Sequence, residues 1–269
     1  MKIKQLCLCL IFFMSAKESF AWGPIGHRVV GEVAKRHLNY FTKKKVEAIL
    51  GAESMAKAST WADEIKSDPD NYRHTFDWHY MSWPMEESDY TYKEGGGKLI
   101  KAIKDNVDIL RSKKSTKTQK IHALRFIIHL IGDLHQPLHV GNGLDRGGND
   151  CKVLFHKGKT NLHRLWDEDM INQKKLSFSE IVEFISYFSK EEIKSFMQGS
   201  PLDWARESRA YRPEVYPTPL EARPYCKRGD PGNDLPSLGY AYSYKHYNHL
   251  EKRLFQAGVR LAYLLNENL

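Results

Sequence analysis

Cysteine is scarce in this 269-residue chain, with four in all and no Cys-x2-Cys pair beyond position 21. That argues against an all-cysteine structural metal site. Long apolar runs are scarce too. The longest, Leu6 to Met14, falls short of the about 20 apolar residues that span a bilayer. An integral membrane protein is therefore not expected. Internal repeats, interdomain linkers and alternating strand–helix patterns are also missing, which excludes repeat arrays and doubly wound parallel sheets. What remains is a single, mostly helical domain.

The early apolar run has a different purpose. Lys2 and Lys4 precede it, and Ser15-Ala-Lys-Glu-Ser-Phe-Ala21 follows, with small Ser19 and Ala21 where a signal peptidase reads. Residues 1–21 are expected to be a cleaved signal peptide and 22–269 the single helical domain, exported to a periplasm or secreted as a monomer. Cys7 and Cys9 leave with the leader. Cys151 and Cys226 remain, and in an oxidising compartment they can form one disulfide; two free buried thiols are the alternative. The leader's Lys2, Lys4 and Lys17 against Glu18 carry +2, leaving +6 of the formal +8. A basic balance suits a polyanionic substrate, although many exported proteins are basic for other reasons.

Helical spacing dominates the rest. His27 to Leu38 is one such segment, Thr42 is expected to cap a second ending at Leu50, and Ser59 or Thr60 opens a third. Tyr72 to Trp83, aromatic and followed by Pro84, reads as extended or irregular. Leu99 to Leu110 is helical, Ser112 to Thr118 is a solvated lysine-rich loop, and Ile121 to Leu134 is the central apolar helix. Lys152 to Phe155 is the one stretch resembling a strand. Helices follow over His163–Met170, Phe178–Met197, Pro201–Tyr211 and Tyr240–Leu265, with Arg212 to Gly239 as the longest loop. The fold class is all-α, with long loops and at most a short β-hairpin.

Chemistry concentrates around His129-Leu-Ile-Gly-Asp133-Leu-His-Gln-Pro137-Leu-His139. His129 and Asp133 share a helical face, and Pro137 turns the chain so that His139 comes from another direction. A surface ion pair or a satisfied core histidine would explain the pair alone. His163 and Asp167 repeat the same four-residue spacing, and Asp63, His79 and His27 add the same ligand chemistry. Cleavage before Trp22 would free an amine that, with its own carbonyl, can chelate a metal ion. Its ordinary pKa of about 8 makes deprotonation a small cost. Pro24 and Gly26 would bend the segment so that His27 reaches the same ion. Nitrogen and oxygen donors without thiolates favour zinc in an open hydrolytic site. Two such ions about 3.5–4 Å apart, bridged by a carboxylate, would generate hydroxide and clamp a phosphoryl group.

Trp22 with His27, Trp61-Ala-Asp63, Trp78-His79-Tyr80, the His129-x3-Asp133-x5-His139 block, Gly147-Gly-Asn149 and Asn161-Leu-His163-x2-Trp166-Asp167 together resemble the S1/P1 nuclease family. The resemblance runs from Trp22 to the C-terminus. It implies a phospholipase C/P1 nuclease-like fold and three zinc ions. Asp63, His79, His129 and Asp133 would hold the first ion. The amine and carbonyl of Trp22, His27 and a bridging Asp133 would hold the second, and His139, His163 and Asp167 the third. It also implies hydrolysis of single-stranded DNA and RNA to 5′-phosphorylated products, with 3′-nucleotidase activity. The nucleophile would be metal-bound hydroxide, with the third zinc stabilising the departing 3′-oxygen.

Asp63 and Lys66 would act in catalysis, Lys66 at a family position that is often arginine and neutralises transition-state charge. Tyr80 matches the base-stacking aromatic. Ser82 stands where the family often carries Asp or Asn, which leaves base preference open. Asn149 matches a substrate-contacting Asn, with a turn role after Gly147-Gly148 as the alternative. His37, His74, His122, His135, His156, His246 and His249 are expected to be surface or core histidines. A zinc phospholipase C shares the ligand framework and is the nearest rival; a non-catalytic zinc- or nucleic-acid-binding protein is the rival from another class.

Overall fold

The central helix, Lys117–His135, is apolar enough to be covered on every side from Phe126 onward. Its start is set by Thr116, whose side chain accepts from the Gln119 backbone while Gln119 returns the bond. In this computed structural model, residues 22–219, 224–226, 228–229 and 234–269 are described; residues 1–21, the expected leader, lie outside them. Around the central helix pack the first helix, Pro24–His37, the Leu99–Arg111 helix, the Pro201–Val215 helix and the closing helix, Tyr240–Asn268. Val29, Val30, Val33, Leu124, Ile127, Ile128, Ile131, Leu254 and Leu261 fill one continuous core. The first and closing helices meet closely at Gly258, where a Cβ would lie 2.4 Å from Val33 Cγ1.

Several boundaries differ from the sequence reading. The second helix spans Tyr40–Leu50 and is capped by Asn39, which accepts from the Thr42 backbone, so Thr42 lies inside it. Thr60 does precede the Trp61–Glu64 turn, which tightens into a 3-10 turn over Ile65–Ser67. The aromatic stretch is helical at its start, Pro69–Tyr72 and then a 3-10 segment Arg73–Trp78, and becomes extended only at Met81–Ser82. His163 sits in the short helix Leu162–Arg164, and a π turn over Leu165–Asp169 carries Asp167. The Pro201 helix runs past Tyr211 to Val215 with Pro213 inside it, shortening the loop that follows.

The strand Lys152–Phe155 pairs antiparallel with Gly158–Asn161 as a hairpin, and Ser237–Leu238 joins it in parallel. Met81–Ser82 and Val140–Gly141 form a second, two-residue parallel pairing. That pairing matters for the site, because it fixes the segment after His79 beside the segment after His139. The buried Arg212 guanidinium reinforces it, donating to the carbonyls of Trp83 at 2.9 Å and Gly141 at 2.7 Å. Cys151 and Cys226 are joined as a disulfide. Tyr216 and Tyr225 are buried, while 220–223, 227 and 230–233 of the same stretch lie outside the described residues. No helix among the described residues is long and apolar enough to cross a membrane.

Candidate metal centre and adjoining cleft

His129 and Asp133 lie one turn apart near the end of the central helix, both fully buried. The Nδ1–H of His129 donates to the Ser59 carbonyl at 2.7 Å, which leaves the Nε2 lone pair turned inward. His139 and His163 are oriented in the same way, by the carbonyls of His79 and Gly147, each at 2.6 Å. Outer-face anchoring of this kind fixes the tautomer and ring plane that a metal ligand needs. Asp167 is held from behind by the Gln136 side-chain amide at 2.6 Å, and its Oδ2 lies 3.0 Å from His163 Nε2.

The Asp133 carboxylate faces two ways. Oδ1 is 3.3 Å from His27 Nε2, while Oδ2 is 3.1 Å from His79 Nδ1 and 3.3 Å from His129 Nε2. Asp63 Oδ1 completes this side, 3.7 Å from His79 Nδ1 and 3.6 Å from His129 Nε2. Three donor groups result, each with ligand atoms within 4.8 Å of one another: Asp63, His79 and His129; His27, His129 and Asp133; His139, His163 and Asp167. Trp22 is buried against the same centre, its indole N–H donating to the Gly132 carbonyl at 2.8 Å. Gly132 permits this approach, since a Cβ there would lie 2.9 Å from His27 Nδ1.

Cations fit this arrangement. Both ring nitrogens of His27, Nε2 of His79 and of His139, Oδ1 of Asp133 and Oδ2 of Asp167 are buried with no hydrogen-bond partner. They are six of the nine such atoms among the described residues. An unsatisfied buried polar group costs about 1–3 kcal/mol, so turning His27 Nε2, His139 Nε2, Asp133 Oδ1 and Asp167 Oδ2 toward the donor groups is sensible only if something else satisfies them. Protonation follows the same logic. Burial, with cationic neighbours, holds the His27, His79 and His139 pKa values well below the usual imidazole range, keeping them neutral and ready to ligate. Burial raises Asp133 to about 6 and also raises Asp167. For His129 burial acts downward, but the Asp133 and Asp63 carboxylates outweigh it and the pKa rises.

A cleft of about 370 Å³ opens from this centre, with His79, His139 and His163 at its floor. Lys66, Tyr80, Ser82 and Asn149, four residues singled out in the sequence, all line it. Lys66 is not an ordinary exposed lysine: it is 8% exposed and its Nζ donates to Asp63 Oδ1 at 2.7 Å. Tyr80 keeps a partly open ring, 39% exposed. The Asn149 amide donates to the Arg146 carbonyl at 2.9 Å, so it serves the turn while lining the cleft.

A model described as S1/P1 Nuclease matches residues 22–269. The chain belongs to the S1/P1 nuclease family. Endonuclease 4 of Arabidopsis thaliana is 30% identical over 96% of this chain and 92% of its own length, and Endonuclease 3 of the same plant is 29% identical over 96% and 92%. Nuclease S1 of Aspergillus oryzae is 32% identical over 58% of this chain and 56% of its own. Family membership makes the chain a nuclease, with nucleic acid as its substrate class.

Within this S1/P1 nuclease, the structure adds two cleft residues that the sequence reading passed over, Phe76 and Arg146. Arg146 sits at φ 54° in the glycine-rich turn, paired with Asp150 at 3.5 Å. A cation beside Gly147-Gly148, where backbone approaches closely, was the available signal. The histidines set aside stay apart from the donor groups. His122 rests against the Trp61 ring, His246 meets the Tyr211 hydroxyl, and His249 stacks on the Tyr211 ring.

Proposed function

We propose that the mature protein begins at Trp22 and is an exported zinc enzyme that hydrolyses single-stranded DNA and RNA to 5′-phosphorylated products, with 3′-nucleotidase activity. The observation that carries this reading is the concentration of unpartnered buried donors among outwardly anchored histidines and a two-faced Asp133. Asp63, His79, His129 and Asp133 would hold one ion. The Trp22 amine and carbonyl, His27 and Asp133 would hold its neighbour, and His139, His163 and Asp167 a third. When bound, the ions supply a water nucleophile ionised near neutral pH and positive charge against the phosphoryl oxygens.

The chain's own groups do the remainder. Lys66, buried beside Asp63, keeps a fixed positive charge where negative charge develops on phosphorus. Tyr80 offers a face to a nucleobase, an interaction worth about 1–3 kcal/mol per base. Ser82 presents one hydroxyl to the base edge, and the Asn149 amide borders the sugar–phosphate path. The family match beginning at Trp22 supports cleavage of the leader after Ala21, and with it a single catalytic domain over 22–269. It also weighs against the phospholipase C alternative.

The deciding experiment compares the chain starting at a free Trp22 with one carrying extra residues before it. The extended form is expected to bind one fewer zinc and to lose most activity on single-stranded RNA and DNA. Equal zinc and equal rates would refute the N-terminal ligand. Turnover of phosphatidylcholine but not RNA would favour the phospholipase reading. A single closed zinc without turnover would leave a binding protein.

A further inference from the structure

A second cleft, about 390 Å³, shares Lys66 with the Tyr80 cleft, and Asp63 contributes to its wall. Arg28, Thr60, Glu64 and Ser67 line the rest of it with Pro24. Arg28 directly follows His27 on the first helix and is half-buried. Within the described residues its guanidinium has no ion-pair or hydrogen-bond partner, although two carboxylates are close at hand. Glu32, one turn on, is instead paired with Lys35 at 3.5 Å and Arg36 at 3.4 Å. Glu64 is occupied by Lys57 at 2.8 Å and the Thr60 hydroxyl at 2.7 Å. Arg28 is therefore left unpaired in the lining of a groove that it shares with the candidate ligand Asp63. Arginine in that state is suited to bidentate capture of a phosphate.

The two clefts also differ in which donors they adjoin. His139 and His163 line the Tyr80 cleft together with His79, whereas Asp63 lines only the Arg28 cleft. Under the reading above, the departing 3′-oxygen and its nucleoside lie on the His139–His163 side. The strand beyond the cut stays bonded to phosphorus through its 5′-oxygen, and the Arg28 cleft, joined to the centre through Asp63 and Lys66, is open to it. We propose that the Arg28 cleft holds this downstream strand, with Arg28 gripping the first phosphate 3′ to the scissile one. This inference rests on the nuclease reading and extends it. It makes Arg28 a specificity-determining residue that separates polynucleotides, which possess that phosphate, from 3′-mononucleotides, which do not.

The test uses the mature, zinc-loaded enzyme and three substrates: a 3′-mononucleotide, a dinucleoside monophosphate and a trinucleotide cut at its first linkage. Only the last carries a phosphate beyond the cut. In Arg28→Ala, the trinucleotide-to-dinucleotide ratio of kcat/KM is expected to fall about tenfold, mainly through KM, as for loss of one charged hydrogen-bonded contact. The salt slope for oligonucleotides, −dlogK/dlog[salt], should drop by about 0.7, the value for one single-strand phosphate contact. Arg28→Lys should recover part of the ratio, and Glu64→Gln should raise it by removing a nearby negative charge. A ratio unchanged in Arg28→Ala, or a loss equal on all three substrates at unchanged zinc content, would overturn the assignment. If the wild-type enzyme cuts none of the three, the nuclease reading itself fails and this one falls with it.

Discussion

His129 and His135 are six residues apart on one helix, both wholly buried, and they face opposite chemical worlds. Each donates its Nδ1–H to a carbonyl, His129 to Ser59 and His135 to Ile131 at 2.8 Å. The difference lies beyond Nε2. For His129 that atom looks onto Asp133 and Asp63, amid neighbours that lack partners. For His135 it meets the Arg260 guanidinium at 3.0 Å, and Glu207 joins Arg260 and Arg253 into one ion-pair network, with Oε2 at 2.6 Å from each. The pKa directions follow. Carboxylates lift His129 against burial, whereas burial and the two arginines push His135 far down. Burial therefore does not mark a ligand histidine. A shared cluster of carboxylates and other histidines does, since His249 Nε2 also lacks a partner but belongs to no donor group among the described residues.

The largest effect that can test this contrast is at Asp133, whose two oxygens serve both halves of the proposed paired site. Asp133→Ala is expected to remove two zinc ions and lower kcat/KM on single-stranded RNA by at least about a thousandfold, comparable with loss of a main electrostatic stabiliser. His139→Ala touches one ion and should retain more zinc than Asp133→Ala. Elemental analysis of the two purified variants checks the order, and the reverse order would break the assignment of Asp133 as the bridge. Gly132→Ala comes next. Its methyl would press on His27 while leaving every donor in place, so zinc bound through His27 should fall with the fold intact by circular dichroism.

His135 should behave in the opposite way. His135→Gln leaves the metal centre alone and is expected to keep zinc and activity while costing about 1–3 kcal/mol of stability through lost buried hydrogen bonds. It also carries a pH signature. The folded pKa of His135 lies below its unfolded value, so its contribution is present above about 6.5, the ordinary imidazole pKa, and is lost as the pH falls towards the folded value. The wild-type protein should thus lose stability more steeply than His135→Gln on acidification from pH 7 to 5. Denaturant titrations across that range measure it, and identical slopes would contradict the assignment.

Periodicity made the helices readable, and local chemistry made their ends hard to read. The central helix was visible from Ile121 because its apolar face is continuous, yet it starts at Lys117. Its capping box is built from Thr116 and Gln119, inside a lysine-rich stretch whose polarity reads as loop. The two-residue strands at Met81 and Val140 show no alternation at all; they exist because the turns around His79 and His139 must lie side by side. The candidate site was legible for a related reason. Ligand chemistry demands particular residue types at helical spacings, and His163-x3-Asp167 repeats His129-x3-Asp133 even though a π turn, not a regular helix, carries the second pair. Arg28 was not legible, because a lone arginine has no pattern. What gives it meaning is where the neighbouring carboxylates Glu32 and Glu64 go, which only the folded chain reveals.

The smallest expected effect concerns Ser82, and it sharpens the contrast between building a centre and tuning a cleft. Ser82 lies on the cleft wall between two glycines. A Cβ at Gly96 would come 3.7 Å from its own Cβ, and one at Gly143 would come within 3.8 Å. Neither neighbour projects a side chain, so there is room for a longer residue. A serine hydroxyl makes one or two hydrogen bonds and reads few base edges, whereas a carboxylate accepts a paired set of donors. Ser82→Asp is therefore expected to leave zinc content unchanged and to shift base preference by up to about tenfold towards guanine, whose Watson–Crick edge presents adjacent N–H donors. Relative kcat/KM on the four homopolymers is the measurement. A uniform loss on all four would mean that added negative charge repels the phosphate path, and that Ser82 does not face the base.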